Sequence, residues 1–327
     1  MNPSDVDHRQ YPIGALSANE MMGILAQPLC ADKIGLDNLM QDWRNKNQMF
    51  RTTSMLNLNI QGQTLQSLNV SPDVLIKIQN VITSYRYYLP ANFELAFVPL
   101  DTLIVPQKSV LLERAGKFLP GMTGPITDDQ NAELCLGTPV YIPEIRAEML
   151  GSGINPQNPN QFTFVYQFES ADQDIRYLGI PPLENLKTVD LSPEKAPHKF
   201  TLKSIPITVG PGTPLVQVFK VQIGFMPSPQ GIQVPIYRFI LHNGVHRAFR
   251  LAQLGNKYIA ALVHEVTQDE LPNILVDTPK GMLFSQRPLL IKDLADSTIS
   301  RTFDWKKAKS LVKLQITVNA EKWPVPE

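Results

Sequence analysis

The stretch YRFILHNGVHRAFRLAQLGNKYIAALV, Tyr237 to Val263, constrains the fold more than any other part of this chain. It changes period twice. Ile236 to Leu241 is almost continuously apolar, with β-branched and aromatic residues, which suits a buried strand. Asn243-Gly244 is a turn signal, and a glycine there admits positive φ and a close backbone approach. From Val245 the helical period takes over. Val245, Ala248, Phe249 and Ala252 fall on one face, and His246, Arg247 and Arg250 on the other. Gly255 stands where a C-terminal cap belongs, and KYIAALV reads as a second strand. Strand, turn, helix and strand in this order imply a mixed sheet with a helix packed on it.

The chemistry of that turn follows from its parts. A helix start has backbone N–H groups without intrahelical partners, and its dipole favours negative charge. Arg247 and Arg250 add planar forks that grip phosphate, and His246 adds a donor whose charge is adjustable near neutrality. Asn243, Gly244, His246, Arg247 and Arg250 are therefore the candidate ligand-binding residues, and the expected ligand is a nucleotide or phosphorylated metabolite. His246 is also a candidate acid or base. Glu265, in HEVTQDE after the second strand, is the candidate carboxylate partner, as a base or Mg2+ ligand beside His264. The alternative reading of the same residues is structural, because a glycine turn before a helix occurs in many α/β proteins and a polar helix face ordinarily meets water.

The segment HNGVHRAFRLAQLGNKYIAALV resembles the signature of the ParB/sulfiredoxin-like superfamily, in which a strand ends in glycine and a His-Arg or Arg-Arg pair opens a helix. The resemblance implies that this loop binds the phosphates of ATP, ADP or CTP, with Gly244 as the turn glycine and His246 and Arg247 as the phosphate pair. Asn243 stands where an acidic or small residue is common. Upstream, FELAFVPLDTLIVPQ looks like the opening strand of such a domain. Val245 occupies the position of the sulfiredoxin cysteine, so sulfinic-acid reduction is not expected. No helix-turn-helix pattern follows Glu265, so centromere binding is not expected either. NTP hydrolysis and phosphoryl transfer are the reactions left open.

The rest of the chain gives the expected fold class, α+β or mixed α/β. Residues 1–90 read as a helical region. Ser17 and Glu20 have capping-box spacing; Leu36, Leu39, Met40 and Trp43 share a helical face; and Ser71-Pro72 opens a helix with Val74, Leu75, Ile78, Val81, Ile82 and Tyr85 as its apolar stripe. Residues 91–270 read as the mixed-sheet domain, with a Gly/Pro-rich insertion over about 116–197 that contains the strand QFTFVYQF and the acidic pair Asp172 and Asp174. Residues 271–327 read as an extension with a short helix at Leu289, Leu290 and Leu294 and a final strand.

Composition narrows the function classes. The chain has 30 basic and 30 acidic residues and no net charge, unlike a protein that coats nucleic acid. The run Lys306, Lys307, Lys309 and Lys313 with Trp305 beside it keeps a local nucleic-acid contact as a third, less favoured role. Two cysteines, Cys30 and Cys135, form no CxxC pair and no metal set, so reduced thiols, a cytoplasmic location and no protein-bound metal are expected. No run has the length of a membrane helix, and the first residues show no apolar core of a secretory signal, so no membrane role is expected. Prolines number 28 and are dispersed, which implies many loops and edge segments. With no acid/base pair resolved, a non-enzymatic interaction or scaffold protein with the same fold is the second reading, its partner another protein.

Overall fold

The structure, a computed structural model, describes residues 6–28, 30–55, 65–86, 89–137, 145–146, 148–155, 157–170, 177–179, 208–210, 215–271, 274–275, 278–307 and 310–319. Its first elements are β1 (Val6–Tyr11), α1 (Ala18–Leu25), α2 (Leu36–Met55), β2 (Gln66–Ser67), α3 (Pro72–Tyr85), β3 (Glu94–Pro99), β4 (Val110–Leu111), α4 (Leu112–Gly116) and α5 (Asp128–Ala132). A π-helical turn over Glu133–Gly137 continues α5. Then come β5 (Ile145–Arg146), β6 (Glu148–Asn155), β7 (Asn158–Ser170), β8 (Tyr177–Gly179), β9 (Thr208–Gly210), β10 (Gln217–Pro227), β11 (Gln233–Asn243), α6 (Val245–Gln253) and β12 (Tyr258–Val266). The chain continues through β13 (Ile274–Leu275), β14 (Thr278–Pro279), α7 (Lys280–Leu283), α8 (Ile291–Ala295), β15 (Arg301–Lys306) and β16 (Ser310–Asn319).

Helices with mixed and antiparallel sheets make this an α+β chain. Contacts divide it into two units, Met1–Pro139 with Pro214–Lys307, and Val140–Thr213 with Ala308–Glu327. The first unit therefore draws on the helical start, the sheet region and the C-terminal segment alike. Its main sheet has the order β11-β10-β12-β3-β2, in which β10 and β12 are parallel and the other neighbours antiparallel. Val98, Val218, Phe239 and Val263, which the strand register places on one face of this sheet, join a core with Ile78, Phe249, Leu251 and Leu294 from α3, α6 and α8. On the other face Val221, Ile240 and Val266 pack with Leu271, Leu275, Leu283 and Leu290. A second small sheet, β15-β1-β4, carries its own cluster of Ile13, Met21, Leu39, Phe303 and Trp305.

Local sequence signals explain the helix starts. The Ser17 hydroxyl accepts from the Glu20 amide and the Glu20 carboxylate from the Ser17 amide, closing the capping box of α1. Pro72 opens α3, but the Ser71 side chain does not cap it; the Ser71 amide instead donates to Asp129 at 2.9 Å. Two expected core residues face water: Leu36 is 52% exposed and Leu75 37%. Each lies in the first turn of its helix, where periodicity predicts the face but not how far the neighbouring elements reach.

In the second unit β7 carries QFTFVYQF and pairs antiparallel with both β6 and β16, while β5, β9 and β8 form a small antiparallel sheet. The strand expected at the end of the chain is thus joined by backbone pairing to the strand in the Gly/Pro-rich middle. Asp172, Asp174 and Lys309 lie outside the described residues.

Candidate functional site

The turn between β11 and α6 has the shape its sequence implies. Gly244 adopts φ 104°, ψ 22°, a left-handed conformation that joins the strand to the helix. A Cβ here would stand 2.7 Å from Cγ2 of Val216, so the glycine also lets the residue leading into β10 pack against the turn. Asn243 fixes the same neighbour, its Nδ2 donating to the Leu215 carbonyl at 2.8 Å. His242, Asn243 and Gly244 remain half-exposed.

The helix that follows is covered on more sides than its pattern implies. His246 is 8% exposed and Arg247 5%, although period 3.6 assigns both to the polar face. The reason is that α6 packs against α4, α8, β4 and β12, so the face opposite the sheet is also roofed. The Leu111 amide donates to Nε2 of His246 at 3.3 Å, which makes Nε2 an acceptor and assigns the proton of a neutral ring to Nδ1. Arg250 is half-buried and donates to three carbonyls: Nε to Phe118 at 3.3 Å, and Nη2 to Leu119 at 3.2 Å and Met122 at 2.8 Å. These bonds hold the 118–122 loop, in which Leu119 has a positive φ of 55°.

Arg247 reaches the carbonyl of Cys135 through Nη1 at 3.3 Å. That carbonyl also accepts the Val216 amide at 3.0 Å. It lies in the π-helical turn, so one carbonyl joins α6, the approach to β10 and the end of α5. Asn131, almost fully buried, closes the neighbouring edge of β12, where β10 has not yet begun. It donates to the Tyr258 carbonyl at 2.8 Å and accepts from the Ala260 amide at 3.1 Å. Burial pushes the Cys135 thiol up to about 12, against the pull of the Arg247 charge. Burial likewise holds the Arg247 guanidinium below its ordinary value; Cys135 opposes the shift and the Arg114 guanidinium on α4 adds to it. Two like charges thus bear on each other near the start of α6. Its first turn has no acidic residue, and its N-cap makes no side-chain hydrogen bond.

Sequence reasoning missed Arg114, Leu111, Asn131 and the Cys135 carbonyl. All come from 111–135, far from the motif in sequence. Within that stretch, only the Thr127–Gln130 capping box announces an element boundary.

Glu265 is not brought to the turn. In the register Gln217 faces Asn243 while Lys220 faces Glu265, three residues further along β10. At ~3.3 Å per residue that is about 10 Å along the strand. Glu265 is 55% exposed at its side chain and pairs with Lys220 at 2.9 Å, while the Tyr237 hydroxyl donates to it at 3.3 Å. The Lys220 ammonium also lies over the Tyr237 ring, 4.4 Å from its centroid. His246 and Glu265 therefore do not form an acid/base pair. Among the described residues no three His, Cys, Asp or Glu side chains gather as they would for a metal ion. Trp305, 4% exposed, lies against Tyr11 and under the Arg9 guanidinium, so it offers no free ring to a base. Among the described residues no helix is long and apolar enough to cross a membrane.

The arrangement can do two things chemically. It can favour negative charge near the start of α6, through the helix dipole and the Arg247 and Arg114 guanidinium groups. It can also tie four distant segments together through backbone carbonyls. No family model, curated protein or solved structure matches this chain.

Proposed function

We propose that this chain binds a phosphate-bearing ligand, a nucleotide of the ATP, ADP or CTP kind, at the start of α6, in the manner of the ParB/sulfiredoxin-like superfamily its sequence resembles. The observation that carries this reading is the accumulation of positive charge there. Arg247 is buried in the first turn of a helix without a side-chain cap, and Arg114 bears on it as a like charge. An anion would relieve both the repulsion and the dipole. The half-exposed Asn243 and Gly244 leave an approach from the turn side. Arg247 and Arg114 would neutralise phosphate charge, and Arg250 would act indirectly by fixing the loop at 118–122.

The reading is of binding and not of turnover. The Nε2 lone pair of His246 already accepts the Leu111 amide, and Glu265 is engaged by Lys220. Mg2+ would be carried on the phosphates, with water completing its shell. Calorimetry with ATP, ADP and CTP, with and without Mg2+, tests the proposal. Binding at roughly millimolar strength or tighter is expected; no heat at several times that concentration, on the order of 10 mM, rejects it.

A second reading has its own support. Asn243, Arg247 and Arg250 all donate to backbone carbonyls, as expected of a structural clamp in a non-enzymatic interaction protein. Absent nucleotide binding, together with a host protein retained by the wild type, would favour it.

A further inference from the structure

His8 lies outside the motif, yet its ring faces two carboxylates from two different elements. On β1 its Nδ1 is 2.5 Å from Oε1 of Glu113 in α4, and its Nε2 is 3.6 Å from Oδ1 of Asp304, its cross-strand partner in β15. The His8 amide also donates to both oxygens of Glu113, at 2.9 Å each. An imidazole with one carboxylate at each nitrogen can donate to both only as imidazolium. A neutral ring must turn a lone pair toward one of them. The other charges near it are Asp7, the preceding residue, and Lys307, 3.8 Å from Asp7. Arg9 is on the opposite side of the strand, over Trp305.

The element gripped by His8 is the one that touches the candidate site. β4 runs directly into α4; Leu111 pairs with Arg9 of β1 and donates its amide to His246, and Arg114 follows Glu113. We propose that His8, Glu113 and Asp304 form a protonation-dependent clasp that holds α4 on β1 and thereby sets the anion affinity at the start of α6. The coupling rests on the phosphate-binding reading above; the clasp itself does not.

The direction is fixed by the two partners. The hydrogen bond to Glu113 raises His8 above its ordinary 6.5. Burial pushes Glu113 up, but the His8 amide and ring outweigh it and leave the carboxyl below 4.5. A raised histidine stabilises the fold below its unfolded value and loses that effect as pH rises through its folded value. A depressed carboxylate loses its effect as pH falls through its own folded value. The clasp is therefore closed between a point below 4.5 and a point above 6.5, and opens on the alkaline side.

The test uses the full chain. Hydrogen exchange over residues 108–117, corrected for intrinsic chemistry, is compared at pH 6 and pH 8.5 in wild type and Glu113→Gln. Protection in the wild type should fall roughly two- to fivefold at the higher pH, the range of a half-exposed ion pair. Glu113→Gln should show the lower protection at both. Equal pH responses in the two proteins overturn the clasp. Pyrophosphate titrations at the same two pH values test the coupling, with Glu113→Gln separating His8 from any titration of His246. Affinity that follows the exchange data in wild type only supports the coupling. Binding that changes equally in both proteins overturns it. If the clasp titrates as described but pyrophosphate binds at neither pH, the coupling and the phosphate-binding reading fail together while the exchange result stands.

Discussion

Arg247 donates to the backbone carbonyl of Cys135, 112 residues earlier, and that bond joins the conspicuous helix of this chain to the segment its sequence leaves unmarked. A buried guanidinium on a carbonyl is a charge-assisted bond, and truncation leaves both a cavity and an acceptor with one donor fewer. Arg247→Ala should lower the free energy of unfolding by about 2–4 kcal/mol. Arg247→Lys should recover part of this, because an ammonium can reach one carbonyl but lacks the planar fork. Urea unfolding of both variants checks the order.

Gly244 is constrained twice, by φ and by Val216. Gly244→Ala should cost about 2–4 kcal/mol, the sum of a left-handed alanine and an overpacked contact. Shortening the neighbour in the double variant Gly244→Ala, Val216→Ala should recover the packing part alone. A double-mutant cycle measures that coupling.

Arg250 holds the loop at 118–122 through three carbonyls. Arg250→Ala should destabilise the fold by about 1–2 kcal/mol, since the released carbonyls can turn to water. The clearer readout is local: limited proteolysis should cut near Phe118–Met122 sooner than in the wild type.

The two thiols should differ sharply in reactivity. Cys30 is half-buried, and burial raises its thiol. Cys135 is buried, with its thiol pushed up to about 12, so at pH 8 roughly one in ten thousand is ionised. A thiol reagent should label Cys30 first and Cys135 only on unfolding, as mass mapping of the labelled peptides will show.

Glu265 stands apart from the turn, on an exposed pair with Lys220. Glu265→Gln should therefore change stability by no more than about 1 kcal/mol and leave nucleotide affinity unaltered. Parallel calorimetry of wild type and variant checks this.

Much of the fold was legible because local rules sufficed. The capping box at Ser17, Pro72 at a helix start, the β11–turn–α6–β12 run and the QFTFVYQF strand each depend on neighbours in sequence. The burial of His246 and Arg247 was not legible, because it depends on α4 and α8 roofing a face that periodicity assigns to water. The role of Cys135 was equally hidden: the group at work is its carbonyl, which every residue has. Glu265 and His246 are close in sequence but separated by strand register, and register is set by pairing with β10.

The central claim is that a phosphate lies at the start of α6. A crystal structure of the chain at saturating ATP or CTP tests it most directly. The account predicts phosphate oxygens within hydrogen-bond distance of the first-turn amides of α6, with Arg247 or Arg114 turned onto them. Nucleotide bound elsewhere, or no nucleotide while Arg247 keeps its contact with Cys135 and Val216 still packs on Gly244, would contradict it.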